Sequence, residues 1–242
     1  MEIIRLPENE REAAAALVME HLFPGADVTQ KLMELMSGGA CTVFKAEENG
    51  MAAVMCLNET AHRILLCAGT EEGMHALIEY AREETEKDHA ARLSAAVSLS
   101  QTDIYRAAGF DIENSDGTSA EMEYLAGRNW LGKTVTVIVD HPYGSFHPHL
   151  PDVLYPLNAG YLKESMAEGE LIDAYVYGIS QPAEECTGIA IAAVYRKDDS
   201  RLRLIVAPAG VSPSHDEIIA ACAFEEQYYD TRFIFADTRF EA

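Results

Sequence analysis

The chain has 242 residues, of which 48% are hydrophobic and 24% charged, and a formal net charge of −22. The excess acid is spread along it, −13 over residues 1–130 (10 basic, 23 acidic) and −9 over residues 131–242 (8 basic, 17 acidic), which excludes nonspecific binding of a phosphate backbone. No run approaches the roughly 18 apolar residues of a membrane span, and the charged opening at Glu2 and Arg5 offers no secretory signal, so a cytoplasmic protein without a membrane or nucleic-acid partner is expected.

In chain order, Glu2–Leu6 reads as a short strand ended by Pro7, followed by an alanine-rich helix over about 10–22 and a second helix in "VTQKLMELM". Two alternating runs, "CTVFKAEENG" and "MAAVMCLNETA", meet at Asn49-Gly50, a strong hairpin signal. "HRILLCAG" is another strand. A long helix over about 71–88 places Met74, Leu77, Ile78 and Ala81 on one face. A strand "RLSAAVSLS", a short helix "QTDIYRAAG" and two short strands around Phe110 and Met122 complete the order βααβββαβαββ. The polar stretch 127–131, with the single tryptophan Trp130, is expected as a linker between residues 1–126 and residues 132–242. Beyond it, strands are expected at 133–140, 153–155, 172–179, 187–195 and 202–207, with one helix at about 214–229: a small closed barrel. The five cysteines form no CxxC pair and fit reduced thiols, four of them in apolar segments. The fold class is therefore α+β.

Four stretches of the second half, "VTVIVDHPYGSFHPH", "YPLNAGYL", "EGELIDAYVYG" and "FEEQYYD", occur in the order of landmarks in the single-barrel inorganic pyrophosphatases, whose short bacterial branch this half resembles. The resemblance implies an OB-like barrel with magnesium ions on Asp140, Glu168, Glu170, Asp173 and Asp198 or Asp199. It implies Tyr161 and Tyr228 as phosphate-holding phenols, with Asp173 among the catalytic groups. Carboxylates suit this chemistry because a phosphoanhydride must be neutralised by bound cations before a metal-activated water attacks it. Against that pattern, Glu stands at 168 and 170 where Asp is usual, Arg201 stands where a further acidic ligand is expected, and His141 replaces an arginine.

In the first half, "VSLSQTDIYRAAGFDI" and the element order resemble the GNAT acyltransferases, implying a mixed sheet with helices and Tyr105 as an acid toward a leaving thiolate. The corresponding cofactor loop is "GTEEGMHA", in which Gly69 and Gly73 are retained while Glu71 and Glu72 face the place of a pyrophosphate, which argues against acetyl-CoA.

Taken together, a cytoplasmic two-domain protein is expected. Its leading activity is magnesium-dependent hydrolysis of pyrophosphate or a related small phosphorylated molecule. The alternatives are an acetyl-CoA N-acyltransferase with an accessory barrel, and a non-enzymatic binding or oligomerisation protein; homo-oligomerisation is left open.

Overall fold

The structure, a computed structural model, describes residues 1–88, 90–148, 152–167, 171–196 and 201–236. These fall into two compact units, one formed by residues 1–86 and 92–124, the other by residues 87–91 and 125–242.

The first unit is a seven-stranded mixed sheet with helices. Its strands are β1 (Glu2–Arg5), β2 (Thr42–Glu47), β3 (Met51–Asn58), β4 (Arg63–Gly69), β5 (Arg92–Ser98), β6 (Asp111–Ser115) and β7 (Ser119–Leu125), in spatial order β1-β2-β3-β4-β5-β7-β6. The helices are α1 (Arg11–Leu22), α2 (Thr29–Ser37), α3 (Glu71–Lys87) and α4 (Thr102–Ala107). Each of these strands and helices is expected from the sequence. The Asn49-Gly50 turn joins β2 and β3 antiparallel, with Phe44 opposite Met55 and Ala46 opposite Ala53. Small residues let α1 lie close: Ala14, Ala15 and Val18 pack with Val54, Cys56 and Ala68. The apolar stripe of α3, Met74, Leu77, Ile78 and Ala81, is buried, as its helical spacing requires.

The second unit is a closed five-stranded barrel with one helix. Its strands are β8 (Thr134–His141), β9 (Asn158–Leu162), β10 (Asp173–Val176), β11 (Glu185–Arg196) and β12 (Leu202–Ala207). Closure depends on the length of β11, which pairs with β8 over Glu185–Ile189 and with β12 over Ile189–Tyr195. A sixth strand, β13 (Thr231–Phe235), pairs antiparallel with the second half of β11, Ala192–Arg196. Alternation puts Val135, Val137, Ala174, Val176, Leu204 and Val206 in the interior. Tyr175, Ile205 and Val194 point outward, under helix α5 (His215–Glu226) with its buried Ile218 and Cys222. A capping box starts α5: the Glu217 N–H donates to Ser214 Oγ at 3.3 Å and the Ser214 N–H donates to Glu217 Oε2 at 2.8 Å.

One expectation needs correction. Residues 153–155 form no strand; Leu154 makes only an isolated bridge to Phe146. The strand that takes its place in the barrel is β9, whose Gly160 breaks the apolar alternation. A Cβ there would sit 1.9 Å from the Ile138 carbonyl oxygen, so close approach of β8 explains the glycine. Ala126–Trp130 is a 3₁₀ turn with Ala126 and Gly127 buried, and Trp130 packs on the barrel core.

Candidate functional site

In the first unit, chemistry gathers where β4 and β5 part. This parallel pair is in register only at Arg63 with Ser94 and Ile64 with Ala95. Beyond Ile64 the strands diverge, while β4 stays paired to β3 as far as Gly69. The carbonyl of Cys67 faces the opening: it accepts a 3.1 Å hydrogen bond from Gln101 Nε2. A strand residue directs its N–H and C=O to the same neighbour, so the Cys67 amide faces the gap as well. Tyr105, on α4, is buried against Phe110, with ring centroids 5.2 Å apart. Burial pushes its phenol well above the usual range, and the nearby Cys67 thiol adds to this.

At the open end of the gap β4 hands over to α3. Gly69 and Gly73, expected as cofactor-loop glycines, are pressed against the chain's own β3. Gly69 has φ +138°, and a Cβ there would lie 2.3 Å from the Ala52 oxygen and 2.4 Å from Ala53 Cα. A Cβ at Gly73 would lie 2.8 Å from Ala53 Cβ. The first turn of α3 is partly capped from within, since the Gly73 N–H donates to Thr70 Oγ1 at 3.2 Å and the Met74 N–H to the Thr70 carbonyl at 2.9 Å. Glu71 and Glu72, with Glu48 and His75, line a cleft of about 940 Å³ beside this turn.

In the second unit the polar side chains converge outside the barrel, at the C-terminal end of α5. Arg203 on β12 donates to Asp173 Oδ2 (3.1 Å), the Tyr175 hydroxyl (2.9 Å), Glu225 Oε1 (3.3 Å) and Glu226 Oε1 (2.8 Å). Arg196 reaches Glu226 Oε1 at 2.6 Å and Glu225 Oε1 at 2.8 Å, and its guanidinium lies 3.7 Å from the Tyr229 ring centroid. Tyr175 donates to Glu225 Oε2 at 2.6 Å. Burial pushes the two glutamates' pKa values up, but the arginines and their hydrogen bonds outweigh it and hold both below the usual carboxylate range.

A neighbouring group completes the cluster. A β-bulge between Val139 and His141 rotates His141 onto the face of Asp140, whose Oδ1 lies 2.6 Å from His141 Nδ1. The His141 and His147 rings flank Tyr155 at centroid distances of 4.9 and 5.3 Å. Burial, then Glu225, push the Tyr155 hydroxyl up to about 12, with smaller contributions from Asp140 and Asp173 and an opposing one from Arg203. The loop carrying His147 is pinned by buried Asn158, whose Oδ1 accepts from the Tyr143 and Ala183 amides at 2.9 and 3.2 Å.

Tyr161 lies directly opposite Asp173 in the β9–β10 register, whereas Tyr228 is 59% exposed beyond α5. Glu168, Glu170, Asp198 and Asp199 lie outside the described residues. Arg201 makes a backbone bridge to Ala90, and it is Arg203, two residues on, that faces Asp173. Glu225, Glu226, Arg196 and Arg203 were missed as site members. An arginine between Leu202 and Leu204 in an apolar strand, and paired glutamates ending a helix, were the available signals. Among the described carboxylates, Asp173, Glu225 and Glu226 hold guanidinium groups and Asp140 pairs with His141, so in this arrangement their oxygens are engaged by protein partners.

No protein-family model matches the chain, and no curated protein matches it. Solved structures do. The ribosomal-protein-S18-alanine N-acetyltransferase of Escherichia coli is similar at 21% identity and TM-score 0.43, over 52% of this chain and 93% of that one. An N-acetyltransferase of Staphylococcus aureus Mu50 is similar at 17% identity and TM-score 0.41, over 52% and 97%. A GNAT-family acetyltransferase of Desulfovibrio desulfuricans is similar at 15% identity and TM-score 0.43, over 52% and 98%. Values this low assign no activity. Among the described residues no helix is long and apolar enough to cross a membrane.

Proposed function

We propose that the first unit is an N-acyltransferase module that draws its acyl group from a thioester, with the barrel as an accessory domain. The observation behind this reading is the gap between β4 and β5. A diverging parallel pair leaves one edge of β4 without a strand, and an extended arm containing amides can pair with such an edge by backbone hydrogen bonds. At that edge the Gln101 side-chain amide donates to the Cys67 carbonyl, and the proposed arm would take over this acceptor.

In the reaction, an acceptor amine nitrogen attacks the thioester carbonyl, a C–N bond forms and the C–S bond breaks. The nitrogen loses one proton to solvent and the departing sulfur gains one, giving amide and free thiol. Tyr105 is the proton donor: its raised pKa keeps the phenol neutral, and solvent restores the proton afterwards. Hydrolysis of a phosphoanhydride at the barrel is the weaker reading, because its described carboxylates are engaged by Arg196 and Arg203.

The test is thiol release from acetyl thioesters in the presence of mixed primary amines, alongside calorimetry on the intact protein. Saturable binding of a thioester and amine-dependent thiol release are expected. A protein that binds no acetyl thioester at millimolar concentration is not an acyltransferase.

A further inference from the structure

We infer that the acyl donor is a thioester on a pantetheine-type arm that carries no nucleotide diphosphate. This rests on the acyltransferase reading and narrows its substrate class. The gap is closed at one end, where Ile64 and Ala95 pair, so whatever the arm is attached to must leave at the other. That exit is the junction of Gly69, Thr70 and Glu71, about 7 Å along the strand from Cys67 at roughly 3.3 Å per residue.

A helix start at such an exit receives phosphate well when its first-turn amides are free and the nearby charge is positive. The charge condition is not met, and of the three first-turn amides that of Gly73 is committed to Thr70 Oγ1. The adjoining cleft is lined by Glu48, Glu71 and Glu72, and among the described residues its lining contains no Lys or Arg; His75 is its one ionisable basic side chain. The two acidic residues at the helix start suit the dipole and oppose a diphosphate at the same place. The unit as a whole adds to the repulsion, since residues 1–86 and 92–124 carry 8 basic and 22 acidic side chains, a formal −14. The arm itself is uncharged and needs only the strand edge, so its binding is independent of these carboxylates.

The experiment compares three probes on the intact protein: S-acetyl-pantetheine, S-acetyl-4′-phosphopantetheine and acetyl-CoA. Affinity is expected to fall in that order, with acetyl-CoA about tenfold or more weaker than acetyl-pantetheine at low salt, and the difference should shrink at high salt. The double variant Glu71→Gln/Glu72→Gln should raise acetyl-CoA affinity about tenfold and leave acetyl-pantetheine unchanged, its melting curve serving as the fold control. Acetyl-CoA binding more tightly than acetyl-pantetheine in the unmodified protein would overturn the inference and leave the acyltransferase reading standing. So would a double variant that strengthens both probes equally. Failure of all three probes to bind would instead remove the acyltransferase reading, and this inference with it.

Discussion

Arg203 Nη2 lies 3.1 Å from Asp173 Oδ2, so a guanidinium holds the carboxylate that the sequence placed at a metal site. Burial disfavours the Arg203 charge, yet Tyr175, Glu225, Asp173 and Glu226 together keep it firmly protonated. Removing it leaves Asp173 without its guanidinium, and leaves Glu225 and the almost wholly buried Glu226 with Arg196 as their one remaining guanidinium. Arg203→Met should therefore cost the barrel about 3 kcal/mol, since taking one partner out of a buried charge cluster costs far more than losing a surface pair. Denaturant unfolding of the variant checks this. A loss under about 1 kcal/mol would mean that solvent already screens the cluster.

The same cluster sets a response to acid. Glu225 and Glu226 have folded pKa values below the usual range, so the folded state binds their protons less tightly than the unfolded chain. Their contribution is fully present above the unfolded carboxylate pKa of about 4.3 and is lost as pH falls through the folded values. Barrel stability should thus be flat in this contribution from pH 7 to about 5 and decline below about 4.3. Glu226→Gln should be less stable at pH 7 and show a shallower acid decline. An equal slope in the two proteins would place the acid sensitivity elsewhere.

What was legible in the sequence was periodicity. The stripe of α3, the Asn49-Gly50 turn and the alternation of β8 and β12 each follow from local spacing, and the first unit formed as read. Where a local signal was broken by a distant partner, the reading failed. Gly160 hides β9 because β8 presses on it, and the bulge at Asp140 turns His141 to the opposite face from the one that alternation gives. The site suffered most. Arg203 meets Glu225 and Glu226 only through closure of the barrel and docking of α5, and no spacing along the chain brings 173, 203 and 226 together.

For the first unit, Tyr105→Phe isolates the proposed proton donor. The change removes one oxygen from a packed ring and keeps its contact with Phe110, so the unfolding midpoint should move little. Thiol release should fall about 100-fold, the usual scale for a lost general acid. The raised pKa means that the phenol stays in its acid form through pH 10, so this group imposes no loss of rate below that pH and one only above it. Unchanged turnover in the variant would exclude Tyr105 from the chemistry.

The corner where β4 meets α3 makes the last prediction, because the proposed exit of the acyl arm depends on its shape. Gly69 holds φ +138° with the β3 backbone where a side chain would begin, so Gly69→Ala has no local relief. Strain and overlap together should cost more than about 3 kcal/mol. Gly117, in the β6–β7 turn, has φ +86°, but a Cβ there would meet nothing within 4 Å. Gly117→Ala should therefore cost only the backbone strain, about 1 kcal/mol. The pair separates conformation from contact: both residues have positive φ, and only one is crowded. Equal losses in denaturant unfolding would mean that β3 yields at the corner. In that case the corner could also open to admit a bulkier carrier, and Gly69→Ala should leave thioester binding intact. A rigid corner predicts the opposite, with the variant losing binding of S-acetyl-pantetheine while still folded at low temperature.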